Sequence, residues 1–478
     1  MQKEDTLGIT VKKSEDMPEW YGQVVTKSEL ADYSPVKGCM VIRPYGYEIW
    51  EKLMAYFNSV LKSHNVRNAY FPLLIPESFF KKEEEHSEGF KAEVAWIQNS
   101  DESNERLALR PTSETIIYDS YSKWIRSWRD LPLKLNQWCN IIRWEVSDVK
   151  LFLRSREFLW QEGHCVYERE DECDKETLAY LEEYKKLCEE ILALPVLAGK
   201  KSDKEKFAGA KYTLTIEAFM PDGKALQCAT SHNLGQNFAR AFGISYLGKD
   251  GSRNLPWQSS WGFTTRLIGA MVMTHSDDKG LVIPPAIAPI QIIIVPIYQK
   301  ENMENVLRCA KELSSMLTGY SVQIDSREGY TPGWKYNEWE LKGVPLRIEI
   351  GPRDIQKKQV VLVRRDNGKK EFVKTDSLKE ESRKILNDIQ KCLYERAKRF
   401  LDNSIEHAKN WDEFKRITSG KKIASADFCG SIECESAIKT ETHGAGTRCI
   451  PFEQTKNIAK CVYCGKDGRF TAYFSRSY

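Results

Sequence analysis

Between Arg143 and His164 the chain reads RWEVSDVKLFLRSREFLWQEGH, which holds three arginines, four acids and several aromatic side chains. Guanidinium forks match the geometry of phosphate oxygens. A phenylalanine ring offers a flat apolar plate to a base. Arg154, Phe158 and Glu162 follow one another at intervals of four, which gathers an anion clamp, a plate and an acceptor in one region. That set suits a nucleotide, with the carboxylate or a backbone group meeting the purine amine. By the period-two rule Arg143 and Glu145 share a face of the strand that precedes the loop. The same residues could equally build a salt-bridged sheet with packed aromatics. In SSWGFTTRLIGAMVMTH (259–275) a strand turns into a helix. Gly262 permits close approach to the backbone, and Arg266 falls at a helix N-terminus, which favours an anion. RPTSETIIY (110–118) reads as a helix start, with Pro111 ahead, Thr112 or Ser113 as cap and Glu114 in the first turn.

A second kind of chemistry lies near the C-terminus. Cys429 and Cys434 are spaced C-x4-C, and Cys461 and Cys464 are spaced C-x2-C. Four thiolates in two close pairs suit a tetrahedral, structural Zn²⁺. Cys449 competes for a ligand position, and unlinked reduced thiols are the plainer reading.

These residues must be held by elements that the hydrophobic pattern outlines. The chain has 478 residues, 41% of them hydrophobic and 11% aromatic, enough for two or three domains with large cores. A net charge of +3 confines any nucleic-acid affinity to a local patch. The N-terminus MQKEDTLGITVKKSED has no apolar stretch, so no secretory signal is expected. LVIPPAIAPIQIIIVPIY (281–298) carries four prolines and reads as a linker and a buried strand rather than a membrane helix. Thirteen scattered cysteines point to a reducing compartment. Helical periodicity marks 48–64, 114–128 and 175–192. Strand-like runs (NAYFPLLI, LNQWCNIIRWEV, FLRSREFLW, KYTLTIEAFM, ALQCATSHNLG and SSWGFTT) mostly follow one another without helices, so an antiparallel sheet is expected. After residue 290 strands and helices alternate: helices at 301–317 and near 333–341, and a turn at DNG (366–368). The segment Arg353–Lys384 carries eleven basic and six acidic residues, and REGYTPGWKYNEWELKG (327–343) adds aromatics that could stack on unpaired bases.

Taken together, these stretches resemble the three motifs of class II aminoacyl-tRNA synthetases. IWEKLMAYFNSVLKSHNVRNAYFPLLIP is similar to motif 1, a helix and a strand ending in proline, with Pro72 as that proline. Arg143, Glu145, Arg154 and Phe158 match motif 2, and Gly262 and Arg266 match motif 3. With RPTSET, LNQWCNIIRWE, REFLWQEGH and TSHNLGQNF, nearly the whole chain resembles the prolyl-tRNA synthetases of the eukaryotic and archaeal type.

The resemblance implies an α+β fold. An antiparallel-sheet catalytic domain would span 1–284, an α/β anticodon-binding domain with a mixed sheet 285–397, and a small zinc-binding α+β domain 398–478. It implies a proline-tRNA ligase that activates L-proline with ATP and Mg²⁺ and transfers it to tRNA(Pro), acting as a cytoplasmic homodimer away from membranes. Arg143 would bridge the proline carboxylate and the α-phosphate. Arg154 and Ser155 would hold ATP beside Glu145, Phe158 would stack on adenine, and Thr264 and Arg266 would meet ribose and γ-phosphate. Gln227 and Thr230 would contact ATP, Gln227 near Mg²⁺, and Thr112, Glu114 and His232 would hold proline. Arg143 and Arg266 carry the catalytic role in this reading. The family's cysteine pattern ends C-x-C, so this chain departs from it by one residue. Only about 70 residues separate Ser155 from Gln227, too few for the editing insertion of bacterial-type relatives. Two alternatives stay open. One is the same fold charging threonine, serine or glycine, against which Thr112, Glu114 and His232 argue. The other is an inactive tRNA-binding paralogue, against which Arg143, Arg154 and Arg266 argue.

Overall fold

The computed structural model describes residues 8–84, 93–98, 105–146, 149–454 and 457–478. The first seven residues, part of the stretch read above as lacking a secretory signal, lie outside the described residues. Helix α1 (Met17–Lys27) is capped by Asp16, whose side chain accepts from the Glu19 amide. Helix α2 (Pro44–Ser63) starts on a proline, whose missing N–H costs nothing in a first turn. It buries Ile49, Trp50, Leu53, Phe57 and Leu61 along one stripe. The stripe packs on a sheet whose first seven strands are β1 (Arg67–Asn68), β2 (Leu133–Ile142), β3 (Glu157–Tyr167), β4 (Leu197–Lys200), β5 (Tyr212–Phe219), β6 (Lys224–Gly235) and β7 (Trp257–Thr264). Between them lie α3 (Glu114–Trp124) and α4 (Glu170–Lys186), and α5 (Arg266–His275) follows β7.

Strands β4, β5, β6, β7, β3 and β2 are neighbours in that order, all antiparallel. Alternation divides their side chains between two faces. On one face Ser231, Trp261 and Gly163 stand in register, beside Ala229, Phe263 and Gln161. This face meets α2 and α4: Tyr180 stacks on Trp261 at 3.9 Å, and Phe57 meets Phe263 edge-on at 5.2 Å. Burying side chains such as Phe57 and Phe263 contributes roughly 1.5–3 kcal/mol each. Gly163 has to be glycine here, because a Cβ would stand 2.1 Å from the Trp261 ring. The opposite face carries Thr230, Gly262, Glu162 and Gln137 on one rung and His232, Ser260 and His164 on the next. Polar residues at those positions leave this face free to line a site.

The second region contains β8 (Ile292–Pro296), α6 (Met303–Met316), β9 (Val322–Ile324), α7 (Pro332–Leu341), β10 (Leu346–Ile350), β11 (Gln359–Arg364) and β12 (Lys370–Lys374). Its sheet runs β9-β8-β10-β11-β12, parallel across the first three strands and antiparallel beyond, which is the mixed sheet expected. Helix α8 (Leu378–Ser404) passes residue 398 without a break, so the division placed there falls inside a helix.

The third region contains β13 (Ile405–His407), α9 (Trp411–Ser419), β14 (Ile423–Phe428), α10 (Ile432–Glu441), β15 (Gly446–Pro451) and β16 (Phe470–Ser477). It does not stand apart. Strand β15 pairs with β4, and the end of β16 pairs with the start of β6, so the large sheet runs on through it to eleven strands.

Several boundaries differ from those expected. Strand β2 stops at Ile142, so Arg143 and Glu145 sit in a turn rather than on a strand face. The Arg143 amide still donates to the Arg156 carbonyl at 2.7 Å, continuing the ladder by one rung, and the Val146 amide then donates to the Arg143 carbonyl at 3.4 Å, which turns the chain. Residues 151–153 likewise form a turn, and β3 starts only at Glu157. Helix α3 ends at Trp124. Helix α4 begins at Glu170, where three acids occupy the first turn, and it ends in a π-turn over Leu187–Ile191. Pro72 ends no strand; it precedes the short strand Leu74–Pro76, and its carbonyl accepts from Arg110 at 3.3 Å.

Candidate active site

The polar face of the sheet floors a cavity of about 450 Å³, inside the range of about 300–1,000 Å³ usual for ligand clefts. Every residue singled out for nucleotide or amino-acid binding lines it. Arg143, Glu145, Arg154, Ser155 and Phe158 come from the β2–β3 connection and the start of β3. Gln227, Thr230 and His232 come from β6, Thr264 and Arg266 from the β7–α5 junction, and Thr112 and Glu114 from the start of α3.

The arginines define one end. Arg143 is wetted through the open cavity although protein surrounds it, and its guanidinium lies 5.5 Å from the centre of the Phe158 ring. The protein packed around it lowers its pKa, against the pull of Glu145, Glu114 and Glu162. Among the described residues the Arg266 guanidinium donates only to backbone carbonyls, that of Leu153 at 3.1 Å and that of Gln227 at 3.4 Å. Burial and then repulsion by Arg143 lower its pKa too, with Arg154 adding to the repulsion. The loop carrying Arg154 is pinned by reciprocal backbone bonds with Lys150 at 2.8 and 2.9 Å. Among the described residues none of these three arginines has a carboxylate within 4.0 Å. Three like charges gathered without a direct ion pair suit an anion such as a phosphate chain. Thr264 accepts from the Arg266 amide at 3.0 Å and Ser155 donates to the Glu157 carbonyl at 2.8 Å, so both hydroxyls already shape the loops. Arg156 turns away, with its Nε on the Val146 carbonyl at 2.8 Å and its guanidinium over Trp144. For that arginine the structural reading holds.

The other end is built around Glu114, which is buried and accepts from the Thr112 hydroxyl. Ser113 occupies the N-cap position of α3 without capping through its side chain. His232 is flanked by two threonine hydroxyls, Thr213 at 2.9 Å and Thr230 at 3.0 Å. Burial, then the charges of His164 and Lys201, pull its pKa down to about 3, so the ring is neutral. Glu162, expected as an acceptor for a base, is instead buried beneath this end. It meets His164 Nε2 at 3.0 Å and accepts from Gln137 Nε2 at 2.9 Å, while His164 Nδ1 lies 3.1 Å from the Tyr118 hydroxyl. Burial acts against both charges, but the hydrogen bond and attraction between them lower Glu162 and raise His164. His164, Lys201, Glu205, Phe207 and Trp160 also line the cavity and went unmarked in the sequence. Lys201 is locked in a buried ion pair with Glu217 at 2.5 Å.

The four cysteines converge as their spacing requires. The ligand atoms of Cys429, Cys434, Cys461 and Cys464 all lie within 4.8 Å of one another, and Cys429 Sγ is 3.8 Å from Cys464 Sγ. Sulfurs bound to one Zn²⁺ at about 2.3 Å would stand about 3.8 Å apart in a tetrahedron. Cys449 lies elsewhere, in β15, where burial and then Glu217 push its thiol up to about 12.

The basic segment of the second region is partly self-neutralised. Arg365 forks onto Asp277 at 2.6 and 2.8 Å, and Arg364 pairs with Asp366. Of the aromatics there, Trp339 is buried and donates to Asp325. Tyr330 is exposed and stacks on Trp334 at 4.1 Å.

Comparison with known proteins covers the same three regions. Residues 90–275 match the class II tRNA synthetase core domain (G, H, P, S and T), 291–385 an anticodon binding domain, and 411–478 the C-terminal domain of prolyl-tRNA synthetase. The chain is 48% identical over 472 residues to proline-tRNA ligase 2 of Clostridioides difficile, covering 98% of this chain and 97% of that one. It is 50% identical over 467 residues to proline-tRNA ligase of Alkaliphilus oremlandii, covering 97% and 96%. A crystal structure of prolyl-tRNA synthetase from Cryptosporidium parvum, complexed with halofuginone and AMPPNP, superposes with a TM-score of 0.94 at 43% identity, over 99% of this chain and 98% of that one.

Proposed function

The chain belongs to the prolyl-tRNA synthetases, class II ligases that join proline to tRNA, and from that premise we propose how its cavity carries the reaction. ATP binds with adenine against Phe158, ribose near Thr264 and phosphates among Arg154, Arg266 and Arg143. That the Cryptosporidium enzyme was crystallised with AMPPNP, an ATP analogue, supports ATP as the nucleotide. Thr112 and Glu114 hold the secondary ammonium of proline, with the neutral His232 beside them. The proline carboxylate is already an anion at neutral pH, so its attack on the α-phosphate needs no general base. One P–O bond forms, pyrophosphate leaves, and Arg143 and Arg266 stabilise the charge that gathers at phosphorus. In the second step the terminal tRNA hydroxyl attacks the prolyl carbonyl and AMP leaves. Mg²⁺ would be held mainly by phosphate and water oxygens, with the Gln227 side chain available as a protein ligand, and would neutralise phosphate charge. Zn²⁺ on the four cysteines would close its coordination shell and serve structure only.

The arginines without direct carboxylate partners carry this reading, because three guanidinium groups gathered at one end of a cavity favour a multiply charged anion there. We further propose that the division 1–284, 285–397 and 398–478 separates catalysis, anticodon recognition and the zinc module. The enzyme acts on tRNA(Pro) as a homodimer in the cytoplasm, where thirteen cysteines stay out of disulfides, and it has no editing domain of its own. Among the described residues no helix is long and apolar enough to cross a membrane. ATP–pyrophosphate exchange measured with each of twenty amino acids tests the reading. Exchange driven by proline is expected; exchange driven by threonine, serine or glycine alone, or by none, overturns it.

A further inference from the structure

The seam between the zinc module and the cavity is built more closely than two packed modules need. Strand β15 pairs with β4 so tightly that a Cβ on Gly199 would stand 2.2 Å from the Ile450 carbonyl oxygen. Along β15 the register with β16 slips between Thr447 and Cys449, which leaves Arg448 as the extra residue of a β-bulge. Bulges re-aim a side chain, often beside a site. Here the re-aimed side chain is buried, with its Nη2 3.5 Å from Glu205 Oε2. Two more residues of the module reach the same turn. Lys439 Nζ lies 3.9 Å from Glu205 Oε1, and Lys204 Nζ donates to Ser436 Oγ at 2.7 Å.

That turn leads straight to the amino-acid end of the cavity. The Glu205 and Lys206 amides donate to the Ser202 carbonyl at 3.1 and 2.9 Å, which closes it. Its next residue, Phe207, donates its amide to Thr213 Oγ1 at 2.9 Å, the hydroxyl that also meets His232. The Phe207 ring lies 4.8 Å from the His232 ring. We propose that Arg448 is a positioning residue for the amino-acid substrate: the bulge aims it at Glu205, and Glu205 sets the turn that holds Phe207 against His232. The inference rests on the proline-activating reading of the cavity and adds a residue of the zinc module to its specificity.

The test is steady-state exchange kinetics on the full, zinc-loaded chain. Arg448→Gln should raise KM for proline by about tenfold while KM for ATP stays within about twofold, since displacement of a substrate-positioning group costs up to about 10²-fold without touching the other substrate. Glu205→Gln should do the same, and it leaves the bulge and the zinc module intact if Arg448→Gln misfolds. Exchanging the charges, Glu205→Arg with Arg448→Glu, should recover most of the lost proline affinity. An unchanged KM for proline in Glu205→Gln overturns the proposal. So does a parallel rise of both KM values with a fall in unfolding temperature, the signature of a merely structural contact. A wild-type chain without proline-driven exchange would overturn the reading of the cavity; wild-type activity with unaltered variants would overturn this inference alone.

Discussion

The arginine-lined cavity collects its side chains from positions 112 to 266 and from Tyr478 at the far end of the chain, whereas the cysteine cluster takes all four of its own from the 36 residues between 429 and 464. In the cluster each potential ligand faces three others, and four thiolates saturate one small ion. In the cavity, among the described residues, no carboxylate comes within 4.0 Å of the three arginines, which leaves room for a ligand to supply the nearest counter-charge. A closed set of ligands serves folding, and an open set of like charges serves turnover. Each kind of site leaves a different trace: the first in local spacing, the second in residue type spread along a sheet.

The largest effect expected of this contrast is on Arg143. Arg143→Ala should lower proline-driven exchange by about 10²–10³ in rate, the usual cost of one charge-stabilising donor, with an unchanged unfolding curve. A folded variant losing under about tenfold would break the assignment. Phe158→Ala should act on ATP affinity instead. Loss of a base stack costs roughly 1–3 kcal/mol, so KM for ATP should rise on the order of tenfold with KM for proline nearly constant. On the other side of the comparison, Cys461→Ser should lose the metal and lower the unfolding temperature of the third region. Its effect on exchange should stay below that of Arg143→Ala. Elemental analysis of the native chain should find one zinc; finding none would remove the closed site from the comparison altogether. Cys449→Ser should keep the full metal content, and losing it would reassign the ligands.

The pH profile offers a smaller effect. His232, held at about 3, gains no proton between pH 8 and 5, so kcat/KM for proline should show no acid-side step near 6.5 from it. His164 is raised by Glu162, so its charged pair contributes in full below about 6.5 and fades as pH rises through its elevated value. An alkaline-side step that disappears in His164→Asn would support this, and a step that survives would place the titration elsewhere.

Much of this was legible from residue type. Arg154 and Phe158 were expected in one region from their chemistry and do line one cavity, and the cysteine pairs were expected to converge from their spacing and do so. The mixed sheet of the second region followed from alternating periodicity, down to β8, whose five residues are all buried. What stayed hidden was set by partners far away in sequence. Arg156 Nε holds the Val146 carbonyl at 2.8 Å in the turn that ends β2, a strand that Trp144 and Val146 would otherwise extend. Glu162 looked like a free acceptor because nothing local shows that His164, two residues on, points to the same face and claims it. Lys201 and Glu217, sixteen residues apart, meet only because β4 and β5 pair. Helix α8 hides the division at 398 because its amphipathic stripe runs through both sides.

The pairing of β15 with β4 also bears on how the chain is made. Lys200 belongs to the first region, and its partner Ile450 lies 250 residues further on. At about 5–20 residues per second a ribosome needs roughly 10–50 s to cover that interval. Throughout it β4 is a bare sheet edge, the kind of surface that recruits strands from other chains. The finished molecule covers this edge with its own last strands. The nascent one has to survive without that cover, so expression of residues 1–404 alone should yield aggregates, even though every arginine of the cavity is present.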